Sequence, residues 1–219
     1  ERVQKEIHRI QPYEITKNAV DMARAKGNKK PGAYMKGGLV IFASGNDSQY
    51  DIDMIPASYP RVVAVGATNS MGIPTDYMNK GPWVDILAPG GTTETGEVMR
   101  GVLSTVPKAF AQMSTGGTPN TDFTLPNDNN YAYAQGTSMA APEVAGVAAL
   151  IRAYFPKLKA REVKQILMES GLTPTVKEVL VGGRGEEGEA KRMLFSELSK
   201  SGKIVNAYNA IILAAQRSK

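Results

Sequence analysis

Apolar positions along the chain fall into a few distinct periodicities. Leu39-Val40-Ile41-Phe42 and Val62-Val63-Ala64-Val65 are short unbroken apolar runs bounded by glycine, proline and polar residues. Such runs suit strands buried on both faces of a parallel sheet. Residues 13–26 instead place Ile15, Ala19, Val20, Met22 and Ala23 on one helical face, opposite Lys17, Asp21 and Arg24. Gly27-Asn28 closes that pattern. A longer helix is predicted from Ser138 to Tyr154, ending before Pro156, with an expected length of about 25 Å. Residues 160–170 are amphipathic, with Val163, Ile166 and Leu167 inward and Gly171 as the C′ residue. Residues 99–105 and 131–134 read as an antiparallel pair. Asn206 is placed to cap a last helix over 207–215. Two stretches break the pattern. Residues 107–130 are rich in Gly, Thr, Asn and Pro, and 173–203 are polar around Gly182-Gly183-Arg184-Gly185. The first reads as a long loop able to rim a site, the second as an exposed and partly disordered insertion.

Length and composition narrow the class. A chain of 219 residues with 42% hydrophobic and 21% charged residues can bury a real core as a single domain. No apolar run is long enough to span a membrane. The net charge of +5 has no accompanying aromatic–basic motif, so no nucleic-acid partner is expected. Zero cysteines exclude disulfides and thiolate sites and leave both oxidising and reducing compartments open. The only histidine, His8, lies upstream of the first helix with no motif around it, and reads as a terminal side chain.

The chemistry concentrates in Gly136-Thr137-Ser138-Met139-Ala140-Ala141-Pro142-Glu143-Val144-Ala145-Gly146. It sets a hydroxyl between a glycine and the first turn of a helix. Free N–H groups there favour the negative charge that develops when a serine attacks an amide. Small residues after Met139 let neighbouring backbone approach closely. Pro142 is expected within the first turn, where no intrahelical bond is lost.

This stretch closely resembles the serine motif of the subtilisin-like (subtilase) serine proteases, with Glu143 where that family usually has histidine. The resemblance implies that Ser138 is the nucleophile. Ala43-Ser44-Gly45-Asn46 resembles the family's second signature, a strand ending in Gly-Asn, and implies that Asn46 donates to the oxyanion. A neutral amide suits that role because it donates without being deprotonated. By the same resemblance Ala43, Ser44, Gly45, Gly136 and Thr137 bind substrate, and Met54 and Ile55 hint at an apolar pocket. Residues 81–90 resemble the Val-Asp-Ile-Leu-Ala-Pro-Gly strand. Some members use the aspartate at the position of Asp85 for a weak cation. One carboxylate is a poor calcium cage, so Asp85 reads as structural, with no metal or cofactor required beyond a weak structural calcium.

The resemblance covers residues 13–215 but corresponds only to the C-terminal part of a subtilase catalytic domain. It implies an α/β fold with a largely parallel sheet flanked by helices, subtilisin-like and truncated at its N-terminal side. The family's aspartate strand and histidine helix should precede Tyr13, and neither motif is present. Glu1 opens the chain as in a processed or excised segment, so a fragment is expected, with a partner chain or a degenerate peptide-binding module as alternatives. The implied function is endopeptidase hydrolysis of polypeptides in the intact protein, secreted or in the cell envelope. The chain alone is expected to be inactive and prone to self-association. An α/β-hydrolase would need Gly-x-Ser-x-Gly and a histidine after the serine, and has neither here.

Overall fold

A computed structural model of the chain describes residues 14, 17–22, 37–92, 101–107, 124–125, 128–181 and 191–218. Its centre is a parallel sheet of three strands in the order β1 (Ile41–Ala43), β2 (Val63–Thr68) and β3 (Ile86–Pro89). Register is set by Ile41 opposite Val63 and by Val65 opposite Ile86. β2 is buried along its whole length. Its unbroken apolar run is what a central strand covered on both faces requires.

Side chains alternate across the sheet. Leu39 and Ile41 join the main core with Val63, Val65 and Ile86. Val40 and Phe42 point the other way, toward Val62, Tyr59 and Val20 of the helical residues 17–22. On the main-core side lies helix α1 (Thr137–Tyr154), which buries Ala140, Val144, Ala148 and Ile151. α2 (Ala160–Ser170) adds Val163, Ile166 and Leu167, and α3 (Ala207–Arg217) adds Ala210 and Ala214. Burying a side chain such as Ile151 contributes about 1.5–3 kcal/mol, so this face of α1 holds the helix on the sheet. Asn206 caps α3 as expected, accepting the Asn209 N–H at 2.7 Å.

The described residues also form two antiparallel sheets. β4 (Val102–Thr105) pairs with β6 (Asp128–Ala134), which also pairs with β5 (Thr124–Leu125), and β6 delivers the chain to Gly136. β7 (Glu178–Val181) pairs with β8 (Lys191–Leu194).

Several expectations change. β1 is half-buried rather than buried, because among the described residues nothing pairs with its outer edge. Part of the presumed loop 107–130 is strand: residues 124–125 and 128–130 extend the hairpin, while 108–123 lie outside the described residues, as do His8, Met99 and Arg100. The stretch 173–203 is not simply an exposed insertion. Met193, Phe195 and Leu198 are buried in the main core, and the Lys200 N–H bonds the Val84 carbonyl at 2.6 Å. Lys191, Arg192, Ser196, Glu197, Ser199 and Lys200 make the stretch read as polar and hid those three core residues. Gly171 caps α2 with φ −57°, not in the left-handed region. Its glycine is needed for space, since a Cβ there would lie 2.8 Å from the Ile204 carbonyl oxygen. That oxygen accepts the Leu172 N–H at 2.7 Å.

Candidate active site

The parallel strands end on one side of the sheet, and there two turns meet. β1 runs out into Ser44-Gly45-Asn46-Asp47. Gly45 sits at φ 98°, a conformation that favours glycine, and a Cβ on it would lie 2.4 Å from Asn79 Nδ2. Asn79 is fully buried and braces the whole turn. Its Oδ1 accepts the Asp47 and Gln49 N–H groups, each at 3.0 Å. Its Nδ2 donates to the Ser44 carbonyl and to Asp47 Oδ2, each at 3.1 Å. An asparagine can do this because its amide end carries two donors and an acceptor together.

The second turn is Gly136, at φ 141°, before the first residue of α1. Its N–H donates to the Gly90 carbonyl at 2.9 Å and to the Tyr77 hydroxyl at 3.1 Å. The Tyr77 hydroxyl in turn donates to the Gly91 carbonyl at 2.7 Å. Gly90 has no room for a side chain, since a Cβ would lie 2.5 Å from Ala67 Cβ and 2.9 Å from the Gly136 carbonyl oxygen.

Thr137 joins the two turns. Asn46 Oδ1 accepts from the Thr137 N–H at 3.0 Å and from the Thr137 hydroxyl at 2.8 Å. Thr137 Oγ1 accepts the Gly45 N–H at 3.2 Å. Only the oxygen of the Asn46 amide can take both Thr137 donors, so its NH₂ is left to donate elsewhere. Asn46 Nδ2 and the Ser138 backbone nitrogen lie 3.3 Å and 3.7 Å from the point where a Gly136 Cβ would be. Two donors therefore border one small space that glycine keeps open.

Ser138 follows, exposed at the start of α1, and among the described residues nothing hydrogen-bonds its hydroxyl. It borders a cleft of about 500 Å³ with Met139, Glu143, Leu103 and Leu150. Pro142 is not in the first turn: α1 begins at Thr137, so Pro142 is the sixth helical residue and cannot donate to the Ser138 carbonyl four residues back. Of the residues expected to bind substrate, Ala43 and Gly45 are half-buried, while Ser44, Gly136 and Thr137 are buried. Asn46 is exposed; Ile55 is exposed and Met54 half-buried. No histidine occurs among the described residues.

The subtilase family's sequence profile matches residues 6–193. The chain belongs to the subtilase family. It is 36% identical over 125 residues to an extracellular protease of Xanthomonas campestris, matching 57% of this chain and 18% of that protein. To subtilisin DY of Bacillus licheniformis it is 34% identical over 139 residues, 62% of this chain and 40% of that one. Among solved structures it is similar to a protease of Pseudoalteromonas arctica, with a TM-score of 0.63 and 30% identity, covering 91% of this chain and 46% of that one. The chain thus spans less than half the length of these relatives. The subtilase resemblance had pointed to Ser138 and Asn46, but not to Asn79 or Tyr77. The Gly90-Gly91 doublet was the one local signal of a close backbone approach there.

Asp85 is structural in this fold. It is buried, and its Oδ2 accepts the Ala64 N–H at 2.9 Å and the Lys164 ammonium at 2.6 Å. Burial pushes its carboxyl above the ordinary range, and Lys164 opposes that rise. Among the described residues no three or more Asp, Glu, His or Cys side chains converge as a metal site, and no helix is long and apolar enough to cross a membrane.

Proposed function

We propose that Ser138 is the nucleophile of a subtilisin-like endopeptidase, and that the 219-residue chain supplies the nucleophile and oxyanion half of that machinery. Ser138 Oγ attacks the scissile carbonyl of a polypeptide. Asn46 Nδ2 and the Ser138 N–H stabilise the oxyanion. The scissile C–N bond then breaks, the amine leaving with the proton that a supplied histidine took from Ser138, and water hydrolyses the acyl-enzyme to release the acid and free the serine. The observation that carries the reading is the locking of Asn46 Oδ1 by Thr137, which turns the amide's donors toward the space beside the Ser138 nitrogen. Ala43, Gly45 and Gly136 offer backbone to an extended substrate, with the Thr137 hydroxyl holding the Gly45 N–H and Ser44 anchored from behind through its own backbone to Val65 and Asn79.

Among the described residues no histidine stands beside Ser138 to take its proton, so the chain alone is expected to be inactive. Removing triad members leaves only about 10³–10⁴-fold acceleration over water, by the subtilisin precedent. The aspartate and histidine come from further polypeptide, in the same chain or a partner, as the relatives' greater length allows. The surface that would receive it is the uncovered side of α1. Ala145, Gly146, Ala149 and Ala153 are exposed there, and a Cβ on Gly146 would meet nothing within 4 Å. Beside them the Arg152 Nε and Nη2 are buried, with no acceptor among the described residues. Left bare, this apolar side and the open β1 edge favour self-association. The names of relatives, an extracellular protease and a cell wall-associated protease of Bacillus subtilis, support a secreted or cell-envelope location.

The test uses a fluorogenic peptide and an active-serine probe. The chain alone should hydrolyse nothing. Addition of a polypeptide carrying an Asp strand and a His-Gly-Thr-His helix should restore turnover, and Ser138→Ala should abolish it. A folded complex that binds peptide in the cleft without turnover would favour the non-catalytic binding module instead.

A further inference from the structure

Subtilase resemblance allows a weak calcium beside Asp85, but the residues around that carboxylate do not fit one. Asp85 leaves the strand region just before β3, and Lys164 reaches it from the middle of α2, 79 residues later. The Lys164 ammonium is 2.6 Å from Asp85 Oδ2, 2.5 Å from the Val62 carbonyl oxygen and 3.3 Å from that of Pro60. An ammonium carries three donors and no acceptor, and three oxygens from two segments converge on it. Both side chains are withdrawn from water, Lys164 at 14% exposure and Asp85 at 4%.

The carboxylate cannot swing away. Ala64 donates its N–H to Asp85 Oδ2, and the Asp85 N–H donates back to the Ala64 carbonyl, both at 2.9 Å. Two backbone carbonyls and one carboxylate are the hard oxygens that bind alkali and alkaline-earth ions. Calcium needs six to eight such oxygens, whereas the single negative charge here matches one positive charge.

We propose that Lys164 is a tethered cation: its ammonium permanently fills an oxygen-lined site formed by Pro60, Val62 and Asp85, so this locus takes no dissociable metal. The site joins three parts of the fold, the approach to β2, the approach to β3, and α2. Shortening the lysine removes its charge and its stem but leaves the oxygens in place. The vacated space is then a site for a monovalent ion, Na⁺ or K⁺, in place of the ammonium.

The experiment is thermal unfolding of the 219-residue chain at constant ionic strength in choline chloride, NaCl, KCl or CaCl₂, with an EDTA arm. Wild type should unfold at the same temperature in all of them. Lys164→Ala should lose roughly 10 °C in choline, as expected for a buried pair broken from one side in a domain of this size. It should recover several degrees when NaCl or KCl replaces choline, because an ion that binds only the folded state stabilises it. Should Lys164→Ala show no folded signal in choline, appearance of that signal in KCl is the expected result. The double variant Asp85→Asn with Lys164→Met removes both charges, and should fold and ignore the choice of cation.

Four results would overturn the proposal. One is a wild-type gain in calcium that EDTA and Asp85→Asn each remove. Another is a Lys164→Ala midpoint no lower than that of the exposed control Lys157→Ala. A third is failure of every cation to recover Lys164→Ala. The fourth is a double variant as cation-dependent as the single one.

Discussion

Truncating Asn79 to alanine isolates the brace behind the Asn46 turn. Four side-chain hydrogen bonds disappear. The Asp47 and Gln49 N–H groups lie in an exposed turn and can be rehydrated, so each costs only the net value of a bond, about 0.5–1.5 kcal/mol. The Ser44 carbonyl is buried and loses a partner outright, at about 1–3 kcal/mol. With the exposed Asp47 carboxylate rehydrated at no net cost, a total near 2–6 kcal/mol follows, which lowers the unfolding temperature by roughly 5–20 °C in a domain of this size. Thermal unfolding followed by circular dichroism reads the first effect. Amide hydrogen exchange at Asp47 and Gln49 reads the second, and both sites should lose protection. Asn79→Asp is a sharper variant because it keeps the size and the acceptor. Its second oxygen would face the Ser44 carbonyl and the Asp47 carboxylate, so at neutral pH it should destabilise at least as much. An unchanged midpoint with unchanged exchange at both amides would refute the bracing role.

Gly136→Ala should cost about 1–3 kcal/mol of backbone strain at φ 141° and fill the space between the Asn46 and Ser138 donors. In a complemented enzyme it should lower kcat by roughly 10²–10³, the loss expected when an oxyanion donor is blocked, and progress curves with a peptide substrate check it. Asp21 reports how the helical residues 17–22 dock. Desolvation pushes its carboxyl up, but hydrogen bonds from Arg61 and Tyr59 more than reverse this and hold it below its ordinary value. Its folded value being depressed, that contribution is complete above the ordinary carboxylate value and is lost as pH falls through the lower folded value. Asp21→Asn should remove this pH dependence, as measured by exchange protection of Val20 across an acid titration. Met139 is half-buried beside Ser138 and lines the cleft, so peroxide should lower the activity of the complemented enzyme; equal rates before and after oxidation confirmed by mass spectrometry would count against that.

What was legible in the chain had local causes. The all-apolar run before Gly66 announced a central strand because only a strand covered on both faces can bury every side chain. The turn before Ser138, the cap at Asn206 and the inward face of α2 each depend on residues within one or two turns of one another. Pro142 was misplaced by counting: it is the fifth residue even from Ser138 and the sixth from Thr137, so either start puts it in the second turn, where its missing N–H is lost to the helix.

By itself, the sequence marked the buried strands and the helix faces through periodicity, which encodes contacts between near neighbours, and the fold class and the Gly-Thr-Ser and Asn46 turns through the resemblance of their motifs to the subtilase family. Tertiary structure decided the rest. Only folding brings Asn79 beneath Asn46, Tyr77 onto Gly136, and Lys164 into the oxygens around Asp85. It also decided that Met193, Phe195 and Leu198 are core, and that Gly171 is needed for room rather than for a left-handed turn. Such roles belong to distances between segments far apart in the chain. A buried hydrogen bond or ion pair acquires its energy only once water has been excluded from both partners.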